Sequence, residues 1–495
     1  MSNEPRPSLT PIEMTAADFK IAGHQLVDQI ADFLQSFEHR PVTKGKKPSQ
    51  IKALLADGAL PQKGIAPPGD LLTSSAQLLF ENSLFISHPM FFGYITSSPA
   101  PIGILADMLA SAINPNVGAG ILSPVATEIE LQTIKWMAEF IGYPTDCGGV
   151  MVSGGNMANF IAFLAARKAK STGDIRQDGL GSKQMLIYAS EETHTWIHKA
   201  ADLFGMGLKC IRWIKPLANR QMDLVALDQK INEDINNGHH PFCVVGNAGT
   251  VSLGVVDSLE EISAICKKYS LWFHVDGAYG APAAGLASAS KQLRGLSLAD
   301  SIAIDPHKWF YAPLEAGCTL VRNKQHLVNT FSFNPAYYNF KGDGTDEPVN
   351  FHEYSMQNSR GFKALKVWMA FRQLGREGYQ QLIQQDIDLA KILFDEISAT
   401  PELEAFMHSL SITTFRYVPK DIDGSDPTQQ KSLNDLNQKI LNELQRGGEV
   451  FVSNAVVDGK FLLRTCIVNF RTRERHVRLL PKIVVRIGEL VSGGR

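Results

Sequence analysis

The sequence predicts an α/β protein built on a mostly parallel sheet of seven strands. Short apolar runs alternate with stretches of helical periodicity between residues 149 and 321. The runs are apolar throughout instead of alternating with polar residues, which is typical of parallel strands covered on both faces. Repeated strand–helix alternation is the pattern that builds such a sheet. The expected strands are 149–152, 184–188, 209–214, 241–247, 271–275, 301–304 and 318–321.

Length and composition narrow the class of protein. A chain of 495 residues is too long for one small core, so we expect a large domain with at least one smaller one. A formal net charge of −2 without a long basic run argues against nucleic acid as a partner. No apolar run is long enough to span a bilayer and the first residues are not a signal peptide, which predicts a soluble, cytoplasmic protein without a membrane partner. Six scattered cysteines without a CxxC pair predict reduced packing residues and no metal site.

Helical periodicity places most of the other elements. Residues 14–38 are amphipathic, and the Pro-, Gly- and Lys-rich stretch after them has little core of its own, so this arm should lie on another surface such as a second subunit. Ser123 and Pro124 are typical of a helix N-cap and first turn. Residues 323–358 lack periodicity, and a loop of this length is usually functional or mobile. The expected helices are 14–38, a short one around 51–55, 105–113, 126–141, 156–170, 193–204, 224–236, 258–269, 361–374, 379–398, 432–445 and 475–491.

The C-terminal part has a different pattern from the sheet region. Strand-like runs at 412–417, 450–453 and 460–466 surround one helix, which is typical of a small α+β unit. We therefore expect an N-terminal helical arm (1–85), a large domain (86–375) and a small C-terminal α+β domain (376–495).

A carboxylate and a lysine follow two of the buried strands. The run 271–275 ends at Asp276, and the run 301–304 leads through a proline to His307 and Lys308. Ligands of such sheets bind beyond the carboxyl ends of the strands. Pyridoxal phosphate requires this pair, because the lysine amine forms a Schiff base with the cofactor aldehyde and the carboxylate keeps the pyridine nitrogen protonated. A lysine after a strand is usually a solvated strand end, but its pairing with Asp276 and His307 favours the cofactor role.

A glycine-rich turn between the strand 149–152 and the next helix favours a phosphate group. At a helix N-terminus, unpaired backbone N–H groups and the helix dipole attract negative charge. By itself a Ser-Gly-Gly turn is a weak signal, and Thr250 is also explained as an ordinary turn residue. The candidate phosphate contacts are Ser153, Gly155 and Asn156, with His307 and Thr250 in addition.

Two further residues are expected to flank the cofactor ring. Ala278 is small enough to pack against one face of the ring, and His194 is the candidate for stacking on the other. A lone histidine at a strand-to-helix turn is more often a cap or a packing residue. Here the topology brings it to the same sheet edge as Asp276, which favours the functional interpretation.

Taken together, these motifs resemble the group II pyridoxal-phosphate-dependent amino acid decarboxylases, and most of all the aromatic L-amino acid decarboxylases. The resemblance implies the fold type I architecture and a homodimer with shared active sites, in which the arm wraps the other subunit. It implies a lyase of amino acid metabolism that converts an L-amino acid to its amine and carbon dioxide. The resembling segments are 153–156 (Ser-Gly-Gly-Asn), 193–195 (Thr-His-Thr), 274–280 (His-Val-Asp-Gly-Ala-Tyr-Gly), 305–309 (Asp-Pro-His-Lys-Trp), 88–94, 123–130 and 364–368.

The resemblance also implies a proton donor. In the family a tyrosine on a mobile loop protonates the carbanionic carbon in the site of the other subunit, and the matching segment implies this role for Tyr337, with Tyr338 as a competitor. Relatives that make aldehydes lose this tyrosine or the stacking histidine, so the presence of both His194 and Tyr337 favours simple decarboxylation. Arg360 falls where relatives often have two arginines. Gly361 replaces the second, which puts any carboxylate clamp there in doubt.

The substrate is predicted less sharply. Phe91, Phe92, Tyr94 and Ile121 are expected to give an apolar lining, and no arginine is obviously placed for a side-chain carboxylate. An aromatic L-amino acid is therefore the first expectation, and an acidic one (glutamate, aspartate or cysteine sulfinate) is the second. Aromatic aldehyde synthesis and a non-catalytic binding role are further alternatives. The binding role predicts a lost lysine, aspartate or phosphate turn, and all three are present.

Overall fold

A computed structural model describes residues 10, 12–55, 58–335, 338, 347–420, 422–424 and 426–493. The strands of the large sheet are β1 Gly148–Val152, β2 Met185–Ser190, β3 Ile211–Ile214, β4 His240–Asn247, β5 Trp272–Asp276, β6 Ser301–Ile304 and β7 Gly317–Val321. Their order across the sheet is β1-β7-β6-β5-β4-β2-β3. The pairs of β2, β3, β4, β5 and β6 are parallel, and β7 is antiparallel to both of its neighbours. The predicted sheet of seven mostly parallel strands is confirmed.

Helices lie before, between and after these strands. Every residue of β1, β2, β5, β6 and β7 is buried, which shows that both faces of the sheet are covered. The helices of the described residues are α1 Ala16–Gln35, α2 Pro48–Leu54, α3 Pro68–Asn82, α4 Pro101–Ile113, α5 Pro124–Phe140, α6 Gly155–Lys170, α7 Ile175–Asp178, α8 Trp196–Leu203, α9 Leu224–Asn236, α10 Leu259–Lys268, α11 Gln325–Phe331, α12 Ala364–Ser398, α13 Gln430–Gly447 and α14 Glu474–Ser492.

The helices expected at 361–374 and 379–398 are confirmed as the two parts of α12, which are separated by the non-helical backbone of Gly375 (φ +63°, ψ −174°). Two other helices differ from the expectation. The unpredicted helix α11 has seven residues, too few for a clear periodicity, and lies within the expected loop 323–358. α5 begins at Pro124 as predicted, but the Ser123 hydroxyl donates to the Asn116 carbonyl instead of capping the helix.

A second, smaller sheet follows. It consists of β8 Leu403–Ser409, β9 Ile412–Tyr417, β10 Ser453–Val457 and β11 Lys460–Cys466, antiparallel in the order β10-β11-β9-β8. β8 was not predicted, because all of its residues after Leu403 are only half-buried and its sequence lacks a strand-like apolar pattern. The strand expected at 450–453 begins at Ser453. The boundaries of the three expected domains stay a prediction.

Two features bear on the class of protein. All six cysteines are free thiols, and all except the half-buried Cys147 are buried. None of the helices in the described ranges combines the length and apolar character that crossing a membrane requires.

Candidate active site

A cavity of about 580 Å³ opens at the carboxyl edge of the large sheet. Its wall includes the turns after β1, β2, β4, β5 and β6, because parallel strands bring their carboxyl ends to one edge. The nine side chains or backbone segments that the sequence singles out for the cofactor all lie on this wall. They are Ser153, Gly155, Asn156, His194, Thr250, Asp276, Ala278, His307 and Lys308.

Asp276 is the last residue of β5, and two donors orient its carboxylate. The indole Nε1 of Trp196 donates to Oδ2 at 2.8 Å, and the backbone N–H of Ala278 donates to Oδ1 at 3.2 Å. Asp276 is buried against this indole, which comes from the start of α8. The carboxylate is therefore fixed at the floor of the cavity and can hold a proton on a ring nitrogen placed against it.

Lys308 lies in the turn after β6 together with two charged or titratable neighbours. Its Nζ is 2.9 Å from Asp305 Oδ2, and Nε2 of His307 is 3.6 Å from the same oxygen. The Ala316 N–H donates to Nδ1 of His307, so the proton of the neutral ring is on Nε2. Burial lowers the pKa of His307 although Asp305 acts in the opposite direction. The lysine amine is thus held by a carboxylate, beside a neutral imidazole.

His194 follows β2 and is held by its own turn. The Trp196 N–H donates to its Nδ1 at 3.2 Å, so the proton of the neutral ring is on Nε2. Burial lowers the pKa of His194, and the nearby Asp276 only partly offsets this effect. The site therefore contains a flat, uncharged ring with a known tautomer, as a stacking partner requires.

The glycine-rich turn has no space for a side chain at Gly155. α6 begins at Gly155, where an added Cβ would lie 2.7 Å from Asp305 Oδ2 and 3.4 Å from the Ala278 Cβ. Only glycine therefore lets the unpaired N–H groups of this helix end approach the lysine turn so closely. Such a helix end attracts a phosphate.

A buried chain of hydrogen bonds supports this turn from inside the sheet. Asn159 Nδ2 donates to the Gly155 carbonyl, so its Oδ1 accepts from Nε2 of His274 at 2.7 Å. The His274 Nδ1 then accepts from the Ser301 hydroxyl at 2.9 Å, which itself accepts from the indole of Trp272. Burial lowers the pKa of His274 to about 4, so the ring is neutral at physiological pH. These hydrogen-bonded residues could not be recognised in the sequence, because they lie inside apolar strands and a helix.

Two functional candidates were also missed. Asp305 lies in the lysine motif itself, next to residues that were singled out, and its Oδ1 is buried without a partner in the described residues. Arg464 lies in the middle of β11 and reaches the cavity wall from the second sheet. Its side chain is buried, with 3% exposure, and its Nη2 has no hydrogen-bond partner among the described residues. The expectation that no arginine is placed for a side-chain carboxylate stays a prediction, but the sequence did not indicate that Arg464 lies on this wall.

Other expected residues lie elsewhere. Phe91 and Phe92 are buried in the core of the second sheet, while Tyr94 and the following Ile95 line the cavity. Ile121 is exposed and does not line the cavity of its own chain. Phe91 packs on Phe451 instead, because this segment forms a β-bridge with Phe451, whose carbonyl accepts from the Phe92 N–H.

Of the expected tyrosines and Arg360, those that the structure describes do not line this cavity. Tyr337 lies outside the described residues. The ring of Tyr338 packs edge-on against His352 and does not line this cavity. Arg360 is buried against Glu130, away from the cavity, so it forms no carboxylate clamp there.

The residues present fit pyridoxal phosphate. A phosphate suits the glycine turn at the start of α6, because Ser153, Gly155 and Asn156 line the cavity at a helix N-terminus. Asp276 offers a fixed carboxylate for the pyridine nitrogen, and Lys308 offers an amine on the same wall. The orphaned Asp305 Oδ1 is a buried acceptor with capacity for one more donor. The fold and this site together define an enzyme that works with pyridoxal phosphate.

Comparisons with known proteins identify the family. The model of the pyridoxal-dependent decarboxylase conserved domain matches residues 48–418, so the chain belongs to this family and is a pyridoxal-phosphate-dependent amino acid decarboxylase. An aromatic-L-amino-acid decarboxylase of Bacillus atrophaeus is 33% identical over 482 residues, covering 97% of this chain and 98% of the relative. The structure of Oryza sativa TDC with PLP and tryptamine has a TM-score of 0.89 and 26% identity, covering 98% and 99% of the two chains. A Rhodiola rosea 4-hydroxyphenylacetaldehyde synthase has a TM-score of 0.85 and 25% identity, covering 96% and 99%.

Proposed function

We propose that this enzyme decarboxylates an aromatic L-amino acid to the corresponding amine. The charge of the cavity wall carries the proposal. The basic side chains on the described wall are Lys308, His194, His307 and Arg464, and the acidic ones are Asp276, Asp305 and Glu315. With the lysine and the histidines assigned to the cofactor, only Arg464 remains, and one guanidinium suffices for the single carboxylate of an aromatic amino acid.

An acidic substrate fits this wall less well. Its second carboxylate would enter a cavity that already contains three carboxylates and has no further arginine or lysine in its described wall. A buried charge without a partner costs about 3–5 kcal/mol, which is the penalty for breaking a buried ion pair. An aromatic ring needs no counter-charge and can pack against Tyr94, Ile95 and Val251 at the outer wall. The names of the relatives from Bacillus atrophaeus and Oryza sativa agree with this choice.

The cofactor has a place for each of its parts. We assign the phosphate to Ser153, Gly155, Asn156, His307 and Thr250, in the turn that opens α6 and around it. The pyridine nitrogen is assigned to the carboxylate of Asp276, and the ring to the space between His194 and Ala278. When bound, pyridoxal phosphate supplies an aldehyde that condenses with an amine and a protonated ring that accepts the electron pair released with carbon dioxide.

The side chains of this chain position the reacting groups and hold their protons. Asp276 holds a proton on the pyridine nitrogen, a preorganised electrostatic effect that favours charge transfer into the ring. Asp305 Oδ2 forms an ion pair with Lys308 Nζ at 2.9 Å and so holds that amine in place. Arg464 is assigned to orient the substrate carboxylate, because it lies on the cavity wall and its hydrogen-bond acceptors are all neutral. His194, neutral and protonated on Nε2, covers the ring and excludes water from that face.

Protonation of the product carbon is assigned to Tyr337 of the other subunit in a homodimer. An exposed apolar surface supports such an assembly, since patches of this kind mark interfaces. It consists of Leu105, Met108, Leu109 and Ile113 on α4, followed by Ile121, Leu122 and Val125. Mixing Lys308→Ala and Tyr337→Phe chains tests the assignment, because mixed dimers have one intact site only if the tyrosine acts across the interface. We expect mixing to restore activity. If activity is not restored, Tyr337 either acts within its own subunit or is not the proton donor.

The substrate proposal is tested by offering each candidate to the purified, cofactor-loaded enzyme. We expect carbon dioxide and amine from L-tryptophan, L-tyrosine, L-phenylalanine or L-dihydroxyphenylalanine, and neither from the Lys308→Ala variant. Release only from glutamate, aspartate or cysteine sulfinate would overturn the substrate class and keep the reaction. Hydrogen peroxide and ammonia in proportion to carbon dioxide would instead identify an aldehyde synthase, as in the Rhodiola rosea structure.

A further inference from the structure

The turn that contains Lys308 is held by a buried carboxylate that lies outside the cavity. Asp386, in α12, is 1% exposed. Its Oδ2 accepts from the indole Nε1 of Trp309 at 2.9 Å and from the hydroxyl of Tyr311 at 2.5 Å. These two donors are the residue directly after Lys308 and the residue three positions after it. One carboxylate oxygen therefore binds the side chains of both Trp309 and Tyr311, in the short segment 308–311 that starts at the lysine.

The backbone of this segment needs such a restraint. Tyr311 has φ of +52°, a left-handed conformation that is unfavourable for a bulky side chain. Its N–H donates to the Lys308 carbonyl at 3.0 Å, and its own carbonyl accepts from Ala100. The lysine backbone is thus bonded directly to a residue in an unfavourable conformation. The bond from the Tyr311 hydroxyl to Asp386 helps to keep that conformation in place.

Tyr279 links the same segment to Ser411, in the C-terminal part of the chain. The rings of Tyr279 and Trp309 are stacked, with centroids 4.7 Å apart. The Tyr279 hydroxyl accepts from the backbone N–H of Ser411 at 2.9 Å and lies 2.7 Å from its side-chain oxygen. Trp309 is therefore held on its face by Tyr279 and at its edge by Asp386. Tyr279 also lines the cavity.

We infer that Asp386 is a positioning residue that sets the place of the Lys308 amine in the cavity by fixing Trp309 and Tyr311. The inference rests on the proposed role of Lys308 as the residue that binds the cofactor covalently. Burial raises the pKa of Asp386 to about 7, while Tyr311, Trp309 and the Asn469 N–H lower it. These donors therefore stabilise the charged form of a carboxyl group that is otherwise costly to bury.

The chain offers a matched control for this bond. Tyr188, in β2, is also fully buried and donates its hydroxyl to a buried carboxylate, Asp234, at 3.0 Å. It is not on the cavity wall. Tyr311→Phe and Tyr188→Phe each remove one hydroxyl and one hydrogen bond to a buried aspartate. Asp234 also pairs with Arg212 at 3.0 Å, so Tyr188→Phe should lose no more stability than Tyr311→Phe, and the two variants should differ in their effect on the lysine.

The test compares the two variants with the wild-type holoenzyme. For Tyr311→Phe we expect kcat to fall about tenfold with KM nearly unchanged, because a small misplacement of a reacting group lowers the rate steeply. We also expect a shift in the pH midpoint of the absorbance of the lysine–cofactor link, and slower trapping of that link by borohydride. Tyr188→Phe should leave all three at the wild-type values. Asp386→Asn, which keeps one acceptor oxygen, should fall between Tyr311→Phe and the wild type.

Each outcome decides one point. Thermal destabilisation of Tyr311→Phe with unchanged absorbance, trapping and kcat would make Asp386 a purely structural residue and overturn the inference. The same is true if Tyr188→Phe alters the absorbance and kcat as much as Tyr311→Phe. Borohydride treatment of the wild type that tethers no cofactor to Lys308, as read from the peptide mass, would instead refute the proposed function itself.

Discussion

Two arginines of this protein are almost equally buried, with 4% exposure for Arg360 and 3% for Arg464, yet their surroundings differ. Arg360 forms an ion pair with Glu130 at 2.5 Å and also donates to backbone carbonyls, including that of Met151 in β1. Glu130 in turn accepts from the Met151 N–H. The Arg360 region is therefore neutralised within the chain, and it connects α5, β1 and the segment before α12.

The Arg464 region has no such counter-charge. The hydrogen-bond acceptors of Arg464 are the carbonyls of Ser252 and Tyr94 and the hydroxyl of Ser453, all neutral. Each arginine has one buried nitrogen without a hydrogen-bond partner in the described residues, Nε of Arg360 and Nη2 of Arg464, but Arg464 lies on the wall of the cavity and Arg360 does not. Burial alone thus does not separate a structural arginine from a functional one. What separates them is whether the chain itself supplies the counter-charge or leaves it to a ligand.

The largest effect should follow from breaking the neutralised pair. Arg360→Met leaves Glu130 buried with no counter-charge, so the free energy of unfolding should fall by about 3–5 kcal/mol. KM for the amino acid should change little in the protein that remains folded. Denaturant unfolding of the holoenzyme measures the first quantity and steady-state kinetics the second. The double variant Glu130→Leu/Arg360→Met is the control, and it should recover most of the stability because no unpaired charge remains.

The opposite result is expected at the second arginine. Arg464→Met removes a charged hydrogen bond to the substrate carboxylate, worth about 2–3 kcal/mol, so kcat/KM should fall roughly 30- to 150-fold, mostly through KM. Stability should change less than in Arg360→Met, because no counter-ion is left unpaired. If kcat/KM for the best amino acid stays at the wild-type value, Arg464 does not bind the carboxylate and the contrast between the two regions fails.

The same contrast explains what could be predicted from the sequence. Asp276, His307 and Lys308 follow apolar strands, and strand ends of a parallel sheet meet at one edge, so local patterns were enough to bring them together. Arg464 has no such signal, because it lies inside β11 and reaches the cavity only through the packing of the second sheet on the first. Similarly, Phe91 is bridged to Phe451 while Tyr94 lines the cavity, and no sequence period encodes this contact with a distant part of the chain.

Two glycines, one at the cavity and one beside Arg360, differ in the space around them. An added Cβ at Gly155 would meet Asp305 Oδ2 at 2.7 Å, whereas one at Gly361, beside Arg360, would meet nothing within 4 Å. Gly155→Ala should therefore weaken cofactor binding about tenfold through overpacking, and Gly361→Ala should leave it unchanged. Titration of the apoenzyme with pyridoxal phosphate, followed by absorbance, gives both dissociation constants. Equal constants for the two variants would show that the turn before α6 tolerates a side chain and does not hold the phosphate closely.

A lysine at each arginine position should give a small effect at low pH and the most specific effect, because only one of the two positions should respond to pH. Burial lowers the pKa of Arg464, and the same desolvation should lower the pKa of a lysine there, since lysine loses its proton more readily than arginine. The ammonium exists below that pKa and is lost as pH rises through it. Relative to wild type, kcat/KM of Arg464→Lys should therefore be within about threefold at pH 6.5 and about fivefold lower again at pH 8.5. In Arg360→Lys the adjacent Glu130 keeps the lysine charged, so the ratio should not vary with pH. A pH-independent ratio for Arg464→Lys would mean that this position has a counter-charge after all.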